Sequence, residues 1–417
     1  MKKLAKAIVV KKLGYQLKKL QNKNDFIVIA VVGSIGKTST KLAIARVLSQ
    51  SFRVQYQHGN YNHIATVPLI FFGETEPSLF NPIAWFKIFR RNAKQLKKLY
   101  PYDIVVIELG TDGPGQIEKF KQYLEVDLGV VTAISPEHMQ NFADLDAVAK
   151  EELAVTDFSN LLLANKDLVD EKYLKDRSNL LTYAINKPAN FTLKNATGKI
   201  SVVADNENLF TETTGSASVP ELYSILAASA VARRLGMKPT DIQKGLKNIK
   251  PVPGRMQHLE GINGSRIIDD TYNNSPVAAK LALDTLYVAK SGHKIALLGN
   301  MNEMGSESQA VHEELGNYCD PKQLDLVVTL GPDANKFLFA AAKAKGCKVE
   351  QFDSPYDAGE YLKPLLTKDT TILVKGSQNR VFAEEAIKSL LADPKDEAKL
   401  VRQSDDWMAI KQKAFSK

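Results

Sequence analysis

Residues 31–40 read VVGSIGKTST and close an apolar run at 26–32. Few folds accommodate an apolar strand, a tight glycine-bearing turn and a helix opening on Lys-Thr in immediate succession. The arrangement is that of a phosphate-binding loop. Gly33 and Gly36 let backbone N–H groups approach phosphate oxygens, Ser34, Ile35 and Ser39 complete the cradle, and the helix N-terminus adds its positive dipole end. Lys37 is placed to reach the β- and γ-phosphates, and the Thr38 hydroxyl to ligate Mg²⁺. Val31 stands where the general GxxxxGK[ST] pattern has its first glycine. The segment predicts nucleotide binding; what the nucleotide drives has to come from elsewhere in the chain.

Apolar runs at 26–32, 103–109, 128–134 and 161–165 alternate with helical patterns such as 37–50. Alternation of this kind predicts an α/β fold with a mostly parallel sheet and helices on its faces. Residues 77–100 look like an inserted basic helix bearing aromatics, 178–215 like short strands and turns, and 221–235 like a helix again. The stretch 247–254, KNIKPVPG, reads as a linker. Beyond it, strands at 265–268, 294–298, 324–330 and 371–374 alternate with helices, as in a smaller Rossmann-like, doubly wound domain. The expected organisation is a basic amphipathic segment at 1–24, a P-loop, nucleotide-binding central domain at 25–250, a C-terminal α/β domain at 254–393, and a charged tail at 394–417 anchored by Trp407.

At 417 residues, with 44% hydrophobic and 24% charged residues, the chain has ample material for two cores, which excludes collagen-like and wholly disordered classes. No apolar run reaches the roughly 18 residues of a membrane span, and no secretory signal is visible. Two cysteines, Cys319 and Cys347, are too few for a disulfide framework; a reduced, cytoplasmic protein is expected. The net charge of +8 favours polyanionic partners. Residues 1–24 hold eight lysines and no acidic residue, with Leu4, Ile8, Leu13, Leu17 and Leu20 on one helical stripe. That stripe suits either a helix packed on the next domain or peripheral contact with a membrane surface. Nucleic acid is not expected, because no aromatic-interleaved basic stripe is present.

Glu108 ends an apolar strand, where a carboxylate beside a phosphate loop can hold Mg²⁺; an ordinary strand-end glutamate reads the same way. His138, past the next strand, could ligate a metal, orient substrate or be structural. Glu151 and Glu152, taken alone, look like a solvated helix face. His58, His258, His293 and His312 carry no evident role.

Together these pieces resemble the Mur ligase family of ATP-dependent amide ligases. GSIGKTST is similar to that family's G-[ST]-x-G-K-T-[ST] loop, which lacks the usual first glycine. NYNHIATVPL (60–69), IELGTDGPGQI (107–117) and ISPEHMQNFADLDAVAKEE (134–152) resemble segments of the branch that adds D-alanyl-D-alanine to a cell-wall peptide. So do PGRMQ (253–257), IIDDTYNNSP (267–276), LLGNMNEMG (297–305) and LVKGSQNR (373–380), in order. Three departures stand out. Only a 24-residue basic segment precedes the P-loop strand, where the family has a domain for the UDP-sugar; Glu152 stands where the family carries a carbamylated lysine, with Lys150 the alternative if the register slips by two; Pro220 and Glu221 replace a His-Asn pair.

The resemblance implies that a substrate carboxylate attacks ATP to form an acyl phosphate, which an amine then displaces. It implies two Mg²⁺ ions, one on Thr38 and Glu108 and one on His138 and Glu152, with Lys37 against the phosphates. Arg255 and Asp270 would reach the nucleotide, Asn62 and His63 the substrate, and Asn273, Asn274, Lys375 and Ser377 the incoming amine. Closure of the second domain about the KPVPG hinge is expected to exclude water. The expected substrates are a muramyl peptide or related carboxylate and D-alanyl-D-alanine or another amine. A Mur-like ligase with a different, lipid-linked carrier is the alternative; a P-loop ATPase or switch would leave the C-terminal motifs without purpose. Oligomeric state is not legible.

Overall fold

The computed structural model describes all residues except 1, 58, 60, 176, 197–198, 205–206, 214–216 and 416–417; His58 and Asn60 therefore lie outside the described residues. The described chain divides into two compact units. One holds residues 2–135, 141–213 and 222–249, the other 136–140, 217–221 and 250–415.

The first unit is built on nine strands: β1 (Ile27–Val32), β2 (Val54–Tyr56), β3 (Ile104–Glu108), β4 (Val126–Val131), β5 (Ser159–Asn165), β6 (Leu180–Ala184), β7 (Phe191–Ala196), β8 (Lys199–Ala204) and β9 (Glu207–Thr213). Their order is β2-β3-β1-β4-β5-β6-β7-β8-β9. Pairing is parallel from β2 through β7 and antiparallel across β7, β8 and β9. β1 reads IVIAVV and β3 IVVIE, uninterrupted runs of the kind a strand needs when both faces are covered. β1 lies between β3 and β4, so the chain leaves it on both sides and opens a crevice at its carboxyl end. The short-strand reading of 178–215 corresponds to the β6–β9 edge of this same sheet.

The helices of this part of the chain are α1 (Lys2–Gln21), α2 (Lys37–Leu48), α3 (Val67–Phe71), α4 (Pro82–Gln95), α5 (Leu145–Leu153), α6 (Val219–Arg234) and α7 (Pro239–Lys247). Two expectations about α1 separate here. Leu17 and Leu20 are buried in the main core with Val28, Val105 and Phe120. Val9 and Leu13 pack with Leu69, Trp85 and Ile88. The apolar stripe is thus consumed in packing, while Ile8 stays exposed; the side chain of Leu4 is not described. α4 is the inserted basic helix. Asn81 caps it by accepting from Ala84 N at 3.0 Å, and Pro82 takes the first position, where no N–H is needed.

The second unit has strands β10 (Gln257–Glu260), β11 (Arg266–Asp270), β12 (His293–Gly299), β13 (Leu326–Leu330), β14 (Val349–Phe352) and β15 (Thr370–Lys375), ordered β10-β11-β15-β12-β13-β14. All pair in parallel except β10, an antiparallel edge. Helices α8 (Pro276–Tyr287), α9 (Ser308–Tyr318), α10 (Phe339–Ala344), α11 (Pro355–Leu362), α12 (Glu384–Lys388) and α13 (Asp405–Phe415) surround it. Cys319 and Cys347 are both free and buried.

The charged tail is held differently from the expectation. Trp407 is only half-buried against Phe382. The anchor is Lys411, fully buried, with its Nζ 2.6 Å from Glu385 Oε1 and 2.9 Å from Glu384 Oε1. Arg402 forks onto Glu384 at 2.8 and 2.7 Å and donates to the carbonyls of Thr271 and Tyr272 at 2.6 and 3.0 Å. These charges can be buried because they satisfy one another.

Candidate active site

Why the loop after β1 folds as it does is visible at Gly33. Its φ is 120°, and a Cβ there would lie 2.4 Å from Thr132 Oγ1 and 2.8 Å from Ala133 N and O. Only glycine lets the loop cross the end of β4 so closely. Ser34 N then donates to Ala133 O at 2.9 Å, and Ser34 Oγ to Ser135 O at 3.0 Å. Gly36, at φ 79°, stands as the N-cap of α2 without a side chain of its own to cap it. Lys37 Nζ folds back onto the carbonyl of Gly33.

Glu108 sits at the carboxyl end of β3, buried, and three groups converge on its carboxylate. Thr38 Oγ1 donates to Oε2 at 3.0 Å, Lys41 Nζ lies 3.3 Å from the same oxygen, and Asn62 Nδ2 is 3.4 Å from Oε1. Gln57 Oε1 accepts from the Glu108 N–H at 2.7 Å and fixes the strand end. Lys41, Asn62 and Gln57 arrive from α2 and from the loops after β2, so this cluster is tertiary. Asn62 is pressed onto Gly110, whose absent Cβ would lie 2.4 Å from Asn62 Nδ2. His63, by contrast, has an exposed side chain, and its backbone forms the turn that opens α3.

Among the described residues no group of three or more His, Cys, Asp or Glu side chains is arranged to hold a metal ion. Mg²⁺ does not require one. It takes one or two protein oxygens and keeps waters and substrate phosphates in the remaining positions. A hydroxyl and a carboxylate oxygen 3.0 Å apart at the mouth of the phosphate loop are hard oxygen donors of that kind. Thr38 and Glu108 therefore fit the ion.

The paired glutamates of α5 contradict the solvated-face reading: Glu151 is 4% exposed and Glu152 1%. Glu152 Oε2 accepts from Gly33 N at 2.7 Å, directly at the phosphate loop. Glu151 turns the other way. Its carboxylate gathers the N–H groups of Gly115, Gln116 and Ile117 at 2.5, 2.8 and 2.7 Å, plus Thr111 Oγ1 at 2.9 Å. It is the closing group of the 110–117 loop. Lys150 is exposed, so Glu152 is the α5 side chain that faces the loop.

In the second unit, Asp270 ends β11 as Glu108 ends β3. Its Oδ2 is 2.6 Å from Lys375 Nζ, and its Oδ1 accepts from Met256 N at 3.2 Å. Lys375, expected at the amine site, is instead fully buried and also donates to Asn273 O at 2.9 Å, so it shapes the 271–274 loop from beneath. Burial lowers the Lys375 pKa against the opposing pull of Asp270. The adjacent Asp269, also fully buried, is pushed up to about 6 by desolvation, although Thr271 N and Oγ1 donate to its Oδ1 at 3.1 and 2.6 Å. Arg255 stacks over the Tyr272 ring at 4.1 Å.

A pocket in this unit is lined by His138, Asn273, Asn274, Asn302, Glu303 and Gln378, among others. His138 Nδ1 pairs with Glu303 Oε2. Asn274 Nδ2 donates to Gly299 O at 2.9 Å. Ser377 Oγ accepts from Asn302 N at 3.0 Å, and Asn302 Nδ2 donates to Gln378 O and Asn379 O at 2.7 and 2.9 Å. Ser377 thus supports the pocket wall rather than lining it. His138, Glu303 and Asn379 have φ of 52°, 65° and 52°. Non-glycine residues held in the left-handed region concentrate at functional sites, where surrounding contacts over-determine them. Glu303, Asn302 and the closing role of Glu151 were not anticipated. Asn302 and Glu303 lie inside the LLGNMNEMG segment, and that was their only signal in the sequence.

Residues 31–232 match the family model for the Mur ligase middle domain, and residues 254–378 match the Mur ligase, glutamate ligase domain. UDP-N-acetylmuramoyl-tripeptide–D-alanyl-D-alanine ligase of Bacillus subtilis (strain 168) is 26% identical over 379 residues, covering 88% of this chain and 76% of that protein. The protein of the same name from Escherichia coli (strain K12) is 28% identical over 381 residues, covering 87% and 76%. The crystal structure of MurF ligase from Thermotoga maritima in complex with ADP superimposes with a TM-score of 0.73 at 24% identity, over 93% of this chain and 84% of that one. A pseudomurein peptide ligase type C from Methanothermus fervidus gives 0.65 at 19% identity, over 88% and 79%. The phosphate loop, the strand-end carboxylate and all six strands of the second unit fall within the matched segments, and the chain belongs to the Mur ligase family of ADP-forming carbon–nitrogen ligases.

Proposed function

We propose that this protein activates the carboxylate of a muramyl peptide with ATP and joins it to D-alanyl-D-alanine. The observation that carries this reading is the convergence of Thr38 and Asn62 on Glu108 beside the phosphate loop, with Glu152 on Gly33 at the other side of that loop. A carboxylate oxygen attacks the γ-phosphorus, the bond to ADP breaks, and an acyl phosphate forms. The amine nitrogen then attacks the acyl carbon, loses a proton and displaces phosphate.

Both reactants of the first step are anions, so positioning and charge neutralisation do most of the catalysis. Lys37 and the N–H groups of the loop and the start of α2 face the phosphates. Thr38 and Glu108 would hold Mg²⁺, which supplies charge neutralisation of the transferring phosphoryl group when bound. Glu152 places a carboxylate where the family has a carbamylated lysine and needs no CO₂ to do so. In the second unit, the Glu303 carboxylate and the amides of Asn273 and Asn274 line a pocket suited to a small zwitterion, whose ammonium and carboxylate they can pair.

The reading is tested by measuring ADP release with D-alanyl-D-alanine, single amino acids and glutamate, each against soluble and lipid-linked muramyl peptides. D-Alanyl-D-alanine with a muramyl peptide is expected to give the highest turnover, unaffected by bicarbonate depletion. Glu152→Gln is expected to lose about 10²–10³ in kcat, and Glu152→Lys to recover part of it only with added bicarbonate. A wild type that requires bicarbonate, or that prefers a different amine, contradicts the assignment.

A further inference from the structure

Charge is distributed unevenly over this chain. Residues 1–24 and 77–102 together carry 14 lysines and arginines and no acidic residue. The rest of the chain, with 41 basic residues left of 55 against 47 acidic ones, has a net charge of −6. All of the excess positive charge therefore resides on α1, α4 and their flanks.

These two helices lie side by side. Gln16 Nε2 donates to Phe89 O at 2.9 Å, Asn92 Nδ2 to Gln16 Oε1 at 3.1 Å, and Lys23 Nζ to Leu96 O at 2.8 Å. The numbering rises together along both helices, so they run parallel and their amino ends share one end of the pair. At that end Phe80, Ile83 and Phe86 are 70%, 68% and 65% exposed, and Ile8 of α1 is 61% exposed. Three large apolar side chains within seven residues, held in water, form a patch rather than the scattered exposure that needs no explanation. Lys87 and Arg90 follow on the same face of α4 at helical spacing, and Lys11 and Lys12 stand exposed on α1. Arg91 is excluded from this set because it pairs with Glu74.

We propose that the α1–α4 face docks on an anionic lipid surface, with Phe80, Ile83 and Phe86 entering the headgroup region and Lys11, Lys12, Lys87 and Arg90 facing lipid phosphates. Apolar side chains rimmed by cations match such an interface in both respects. An aqueous polyanion would use the cations and leave the three apolar side chains in water. A second copy of this face would set like charge against like. The membrane contact is thus made by the opposite side of α1 from its leucine stripe, and by α4.

The test is co-sedimentation of the full chain with phosphatidylcholine vesicles, with and without phosphatidylglycerol, at low and physiological salt. Binding is expected only to the anionic vesicles and is expected to weaken with salt. Ile83→Ser/Phe86→Ser and Lys87→Glu/Arg90→Glu are each expected to reduce partitioning roughly tenfold or more, with the melting temperature unchanged because all four side chains are exposed. The proposal is overturned if the wild type stays in the supernatant with anionic vesicles, or if the apolar double variant binds them as the wild type does. It is equally overturned if duplex DNA displaces the protein from vesicles while the apolar variant binds normally, or if the patch proves to be a self-association face, lost in Ile83→Ser/Phe86→Ser without lipid.

Discussion

Each unit ends the strand next to a sheet edge on a carboxylate paired with a buried lysine, yet the two pairs are built for different work. Glu108 shares its oxygens among Lys41 at 3.3 Å, Thr38 at 3.0 Å and Asn62 at 3.4 Å. None of those contacts is short, and the carboxylate can exchange one of them for a cation. Asp270 is committed: its partner Lys375 is 2.6 Å away, fully buried, and tied to the backbone of Asn273 as well. A carboxylate shared among a hydroxyl, an amide and an ammonium can trade one partner for a ligand, whereas Asp270, bonded to a lysine that also holds the Asn273 carbonyl, fixes a loop.

The largest effect separates the pairs. Asp270→Asn leaves the Lys375 ammonium buried without its counter-charge and is expected to cost about 3–5 kcal/mol in stability. Urea unfolding followed by Trp407 fluorescence in a Trp85→Phe background reports that unit alone, since the chain has two tryptophans, one in each unit. Glu108→Gln is expected to cost less stability but about 10²–10³ in amine-dependent ADP release. Equal stability losses with retained activity would erase the distinction.

The phosphate loop was legible in sequence because its parts are contiguous: strand, glycines, Lys37 and Thr38 lie within 15 residues. The parallel sheets were legible for the same reason, since a doubly covered strand is an unbroken apolar run. What sequence could not show were charges satisfied at long range. Glu151 looks like a solvated helix residue until the N–H groups of 115–117 fold beneath it. Lys411 looks like tail until it meets Glu384 and Glu385. Lys375, which the resemblance places at the incoming-amine site, is buried under the 271–274 loop and bonded to Asp270 and the Asn273 carbonyl, contacts more than a hundred residues away in the chain.

Glu151 supplies the next test. Removing its charge while keeping its size in Glu151→Gln leaves part of its set of three backbone donors poorly satisfied, and a loss of about 1–3 kcal/mol is expected. Chemical unfolding of the first unit, followed by Trp85 in a Trp407→Phe background, checks it. A silent Glu151→Gln would return that residue to the solvated class.

The smallest effect is a pH dependence confined to the second unit. Asp269 has a folded pKa near 6, above its ordinary value, because burial disfavours its charge. Between about pH 4 and 6 the folded state therefore binds more protons than the unfolded state, and stability falls as pH rises through that window, by at most about 1.4 kcal/mol per pH unit. Asp269→Asn should remove this contribution to the Trp407-reported stability slope. An unchanged slope would mean that Asp269 is ionised in the fold.

The central claim is that the phosphate loop serves amide ligation, and one comparison tests it most directly: ADP release by wild type and Lys37→Ala, with muramyl peptide, in the presence and absence of D-alanyl-D-alanine. The account predicts release by the wild type that depends on both substrates, and a loss of at least about 10²–10³ in Lys37→Ala with an unchanged melting temperature. Wild-type ADP release that proceeds equally without the amine, or near-normal amine-dependent release by Lys37→Ala, would contradict it.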